Sequence, residues 1–213
     1  MNASLPRLLL VSAPLDRDGA VRELEKALAV AAEIDIAALL LRSGTLDDGT
    51  FAGRIAPLVP LAQDRDIAVL LEDRPQLLAA SGADGLHVSL TEKRSSLKEL
   101  RGRFGPDVIL GAGCGASRHL AMTAGEQGAD YIGFGDPAGG TPADPETVAW
   151  WEAVMTPPQV AFGAADIATA RRLATAGPDF LGVGADLWLA GGDAAAALGA
   201  LQAALAEAAA EGA

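Results

Sequence analysis

The sequence predicts an α/β chain folded as a single (β/α)8, or TIM, barrel over residues 1–213. Three observations predict it: a repeated Asp-plus-strand phrase, short apolar runs midway between the repeats, and helical patterns in the gaps. The phrase occurs in EIDIAALLL, GADGLHV, GADYIGFG and GPDFLGVG, with aspartates at Asp35, Asp84, Asp130 and Asp179. Their separations of 49, 46 and 49 residues are long for one βα unit and right for two. Eight strands alternating with helices make a closed barrel the leading architecture, with a doubly wound open sheet as the alternative. No glycine-rich dinucleotide fingerprint follows the first strand, where the chain reads SAPLDRDG.

Taken in order, LLLVS at residues 8–12 reads as the first strand. An amphipathic pattern over 20–32 reads as the first helix. After the second strand the helix is interrupted, because Pro57 and Pro60 would kink or shorten it. Residues 67–71 (IAVLL), 108–112 (VILGA) and 159–162 (QVAF) are the third, fifth and seventh strands, apolar throughout as expected for strands buried on both faces. A short helix over 76–80 stops at Ser81-Gly82, and another over 117–126 ends before Gly128. The stretch 136–145 (DPAGGTPADP) reads as a long irregular loop, and Trp150 and Trp151 anchor the helix that follows. Asp166 is a good N-cap for a helix over 167–175, and Asp193 opens an Ala-rich final helix.

Composition narrows the function. A net charge of −12 with no run of Lys or Arg argues against nucleic acid as a partner. The apolar run at 8–11 is too short for a signal peptide or a membrane span, so no membrane association is expected. The single cysteine, Cys114, rules out an internal disulfide and fits a cytoplasmic setting. An acidic chain can still bind a phosphorylated small molecule, because backbone N–H groups at helix starts bind phosphate. A homo-oligomer stays open.

In a barrel the chemistry sits at the C-terminal strand ends. The turns after strands seven and eight, with Gly163, Ala164, Gly184 and Ala185, would let a phosphate approach the backbone; alternatively they simply suit tight turns. Asp73 with Glu92 is a candidate Mg2+ pair, since Mg2+ takes a few carboxylates plus waters and phosphate oxygens. The other reading pairs Asp73 with Arg74 or Arg42 and leaves Glu92 solvated. His87, between Leu86 and Val88, is expected to be a satisfied core histidine, and His119 a surface residue. Cys114, in a glycine-flanked turn, is a weak nucleophile candidate, because no histidine adjoins it in sequence.

The residues at these strand ends resemble a known family. EDRPQLLAASGADGLHVS is similar to a segment of thiamine phosphate synthases that runs Asn-Asp-Arg, a short helix, then Gly-Ala-Asp-Gly-Val-His-Leu-Gly. GADYIGFGDP and VAFGAADIATARRLATAGPDFLGVGADLW resemble that family's later strands, so the likeness covers nearly the whole chain. It implies a transferase of thiamine biosynthesis that joins hydroxymethylpyrimidine diphosphate to thiazole phosphate and releases pyrophosphate, with Mg2+ as cofactor; related thiazole tautomerases share the family. By resemblance Asp73 matches a metal-binding aspartate, Glu92 takes the place of a second one, and Arg42 matches a catalytic arginine.

Several positions depart from the pattern. The family's Gln-Leu-Arg-x-Lys stretch has Leu40 for its glutamine and Gly44 for its lysine, and the asparagine before the metal aspartate is Glu72. Ser-Thr-His after strand five is Gly113, Cys114, Gly115, which puts Gly115 at the tautomerase histidine, with His119 one helical turn beyond. A Thr-x-Thr-Lys stretch is replaced by Gly139, Gly140 and Thr141, and a Ser-containing turn by Gly184-Ala185. Most lost groups are pyrophosphate donors or cations, so the expectation is weak or altered transferase activity, or a non-catalytic barrel that binds a thiamine-related phosphate.

Overall fold

The computed structural model describes residues 5–29, 34–91 and 96–211. Eight parallel strands close on themselves in chain order: β1 (Arg7–Val11), β2 (Ile36–Leu41), β3 (Ala68–Glu72), β4 (Gly85–Ser89), β5 (Ile109–Gly115), β6 (Tyr131–Phe134), β7 (Gln159–Ala164) and β8 (Phe180–Val183), with β8 returning to β1. Around them run α1 (Ala20–Ala29), α2 (Asp48–Ile55), α3 (Leu58–Gln63), α4 (Leu78–Ser81), α5 (Lys98–Phe104), α6 (Arg118–Glu126), α7 (Pro145–Val154), α8 (Ile167–Thr175), α9 (Ala185–Trp188) and α10 (Ala194–Glu211). The expected barrel is present. No helix among the described residues is long and apolar enough to cross a membrane.

The four repeated aspartates explain the period. Each precedes an even-numbered strand and reaches back to the start of an odd-numbered one. Asp84 Oδ2 accepts from the Val69 amide at 2.7 Å, Asp130 Oδ2 from Leu110 at 2.7 Å, and Asp179 Oδ2 from Gln159 at 2.8 Å. Asp35 instead takes the Arg7 guanidinium at 2.8 Å. These bonds satisfy backbone donors at the N-terminal rim, the stability face of such a barrel.

Helix starts follow their caps. Asp47, Ser117, Asp144 and Asp166 accept from first-turn amides of α2, α6, α7 and α8, and Pro145 follows Asp144 where its missing N–H costs nothing. The proline interruption is real: α2 stops at Ile55, and α3 begins after Pro57, with Pro60 in its first turn, where amides have no intrahelical partner. Two strands run further than their apolar runs indicate. β5 continues to Gly115 and β7 to Ala164, so Cys114 and Gly163 lie in strands rather than in turns.

Two apolar layers hold the barrel. The larger lies between strands and helices and includes Leu10, Leu39, Leu71, Phe51, Phe134 and Trp151. The smaller, from the alternate strand positions, fills the barrel: Leu9, Val11, Leu40, Leu70, Tyr131, Val160 and Phe162. Large rings face glycines across it. A Cβ on Gly113 would come within 2.7 Å of His87 Nε2, and one on Gly133 within 2.7 Å of the Phe162 ring. These strand glycines thus clear the volume that the His87 and Phe162 rings occupy.

Candidate active site

Because all eight strands are parallel, their C-terminal ends form one mouth. Arg42 follows β2, Glu72 ends β3, Asp73 follows it, and Ser89 ends β4. Arg42 Nε donates to Glu72 Oε2 at 3.2 Å, and the two side chains are only 18% and 21% exposed. Burial pushes the Glu72 carboxyl above the usual carboxylate range; Arg42 opposes that shift, while Asp73 and Asp136 add to it. Arg74 turns away to Ser43 Oγ and the Leu46 carbonyl, with Asp48 as its ion-pair partner.

Asp73 has φ of 51°, a left-handed conformation that aspartate tolerates better than most residues. Its amide donates to the His87 carbonyl at 3.0 Å, and its Oδ1 accepts from the Ser89 amide at 3.1 Å. The turn therefore fixes the carboxylate against the end of β4. Sequence reasoning missed Glu72 as a site residue. The signal was its register: Ala68 and Leu70 pack in the barrel layer, and Glu72 continues that alternation to the rim.

His87 is fully buried in the barrel, as a core histidine should be. The expectation that it is satisfied is corrected: Nδ1 is 2.7 Å from the Tyr131 hydroxyl, but Nε2 has no partner among the described residues. The glutamine that the family resemblance puts at position 40 is a leucine packed in that same layer. Burial lowers the His87 pKa to about 4, so the ring stays neutral near neutral pH. Cys114 is buried, and burial pushes its thiol up to about 12, which leaves it inert as a nucleophile. His119 is exposed on α6, as expected.

Ala164 pairs with Val183, so the Gly163-Ala164 and Gly184-Ala185 segments adjoin. Gly163, at φ of 89°, lies against Pro142 and the Thr141 carbonyl of the β6–α7 loop, so a side chain there would displace that loop. Gly184 has open space where a Cβ would be and precedes α9. The start of α8 is already occupied by the Asp166 carboxylate, bonded to the Thr169 amide at 2.7 Å. Gly44 lies under Asp16, whose carboxylate accepts from the Thr45 amide and hydroxyl at 2.8 and 2.7 Å. A Cβ on Gly44 would meet that carboxylate, so a side chain at position 44 requires the Asp16 side chain to shift.

Glu92 falls within residues 92–95, outside the described residues. No cluster of three or more His, Cys, Asp or Glu side chains suited to a metal occurs among the described residues. Mg2+ needs less than that: one or two carboxylates, waters and ligand phosphates suffice. Asp73, with Glu72 and Asp136 close enough to act on one another electrostatically, offers hard oxygen donors of that kind.

Fold and rim together define a TIM-barrel protein with a polar mouth of Arg42, Glu72 and Asp73. More particularly, the chain belongs to the thiamine monophosphate synthase family, whose sequence model matches residues 8–187. It is 44% identical to a thiamine-phosphate synthase of Rhodospirillum centenum, over 72% of this chain and 76% of that protein. A thiamine-phosphate synthase of Hyphomonas neptunium is 36% identical over 85% and 86% of the two chains. Among solved structures, thiamine phosphate pyrophosphorylase from Pyrococcus furiosus superposes with a TM-score of 0.78 at 20% identity, covering 97% of this chain and 98% of that one.

Proposed function

We propose that this barrel is a Mg2+-dependent transferase of thiamine biosynthesis, joining hydroxymethylpyrimidine diphosphate to thiazole phosphate with release of pyrophosphate. The observation that carries the reading is the shared rim of Arg42 and Asp73, in a chain 44% identical to a thiamine-phosphate synthase. In the reaction, the pyrimidine carbon–oxygen bond breaks and pyrophosphate leaves with the electron pair; the thiazole nitrogen then captures the cation. Charge builds on the departing diphosphate, so positioned cations there lower the barrier. Arg42 would supply one such cation. Asp73, together with Glu92, would hold Mg2+, which when bound neutralises diphosphate oxygens. Backbone amides near Gly163, Ala164, Gly184 and Ala185 would hold the thiazole phosphate. The reading places the protein in the cytoplasm, with small phosphorylated molecules rather than nucleic acid as its partners.

One observation favours the second reading, a non-catalytic binder: among the described residues of the mouth, Arg42 already carries a Glu72 counter-ion and Gly44 is covered by Asp16. Replacing Asp73 with Asn separates the two. The transferase reading expects the wild type to form thiamine phosphate and Asp73→Asn to lose about a hundredfold or more in turnover. Binding of thiamine phosphate without turnover by the wild type would favour the binder, and unchanged turnover in the variant would remove Asp73 from the mechanism.

A further inference from the structure

The Arg42–Glu72 pair does more than fill space at the rim. Glu72 takes only the Nε of Arg42; neither Nη has a partner among the described residues, and neither is among the buried polar atoms left unpaired, so both reach solvent. The arginine thus keeps both Nη groups available to a ligand while Glu72 balances its charge at Nε. Among the described residues, the charges other than Arg42 that act on Glu72 are negative. Asp73 and Asp136 act on Glu72, and the β1–α1 loop places the Asp16 carboxylate over Gly44. Arg74, which follows β3, is turned to Ser43, Leu46 and Asp48.

We propose that Glu72 determines which charge class of ligand this mouth accepts, acting as an internal counter-ion that competes with an incoming anion for Arg42. The inference rests on Arg42 being the diphosphate contact of the proposed reaction. A free diphosphate approaching the Nη fork meets the Glu72 carboxylate close behind it. Two like charges about 5 Å apart in a half-buried site repel by several-fold in affinity or more, offsetting much of what one oriented arginine returns. The mouth therefore discriminates against bare polyanions and favours ligands whose charge is already offset. Glutamine at position 72 keeps an oxygen that can accept from Nε and removes the charge, so its effect reads electrostatics rather than packing.

The test is calorimetric titration of inorganic pyrophosphate into the full chain, in chelator and without divalent ions, for the wild type, Glu72→Gln, Arg42→Gln and the double variant. The expected result is pyrophosphate binding about tenfold or more tighter in Glu72→Gln than in the wild type, with the gain abolished in the double variant. Equal or weaker binding by Glu72→Gln, while Arg42→Gln still weakens binding, overturns the role of Glu72 and leaves that of Arg42 standing. Binding that does not respond to Arg42→Gln in either background overturns the Arg42 reading itself. Absence of binding in both the wild type and Glu72→Gln also overturns the proposal.

Discussion

Buried titratable side chains are where single residues of this barrel have measurable consequences. His87 has an ordinary pKa of 6.5, and burial lowers it to about 4. Between those values the unfolded chain takes up a proton that the folded chain refuses. His87 therefore subtracts stability as pH falls from about 6.5 to about 4, and costs nothing above that window. Denaturant unfolding of the wild type and His87→Gln across this range should show a steeper loss in the wild type, by on the order of 3 kcal/mol in total. Parallel pH profiles would show that His87 is not the group responsible. At the same scale the sequence pointed to Asp73 as a candidate metal ligand and marked Glu72 only as a departure from the family's asparagine. Asp73 stands in a motif, whereas the importance of Glu72 depends on Arg42, thirty positions away in sequence, meeting it across the β2–β3 pair. His87 could be placed in the core from its alternation, but the missing partner of Nε2 depends on which side chains cross the barrel.

Elements here are fixed by short signals that act locally. Caps and prolines were legible because their physics involves a few adjacent residues: Asp166 starts α8 and Pro57 separates α2 from α3. The ends of β5 and β7 were not, because glycine at 113, 115 and 163 looks like a turn residue in sequence; in the fold, Gly113 gives room to His87 and Gly163 to the β6–α7 loop. Two predictions belong to this scale. Asp84→Ala removes the acceptor for the Val69 amide and should destabilise the fold by about 1–2 kcal/mol, read from denaturant midpoints; no change would show that the repeated aspartates are not structural. Gly163→Ala places a methyl against Pro142 at a left-handed backbone and should cost about 1–3 kcal/mol. If it proves neutral in the same unfolding measurement, the contact between loop and strand is not a constraint.

At the scale of the whole molecule, the period near fifty made the barrel readable before any contact was known, since each repeat is two βα units with an aspartate tying even strands to odd ones. What the period could not convey is the electrical character of the mouth. That arises from loops of different units meeting, Asp16 over Gly44 and Glu72 against Arg42. The scaffold and family are those of thiamine phosphate synthases, and among the described residues the mouth pairs Arg42 with a carboxylate.

The most direct measurement is product formation by the purified chain given hydroxymethylpyrimidine diphosphate, thiazole phosphate and Mg2+, with thiamine phosphate followed by mass, beside an active synthase as control. The account predicts thiamine phosphate above the enzyme-free background, lost when Mg2+ is chelated. Folded protein that forms none while the control turns over would contradict it.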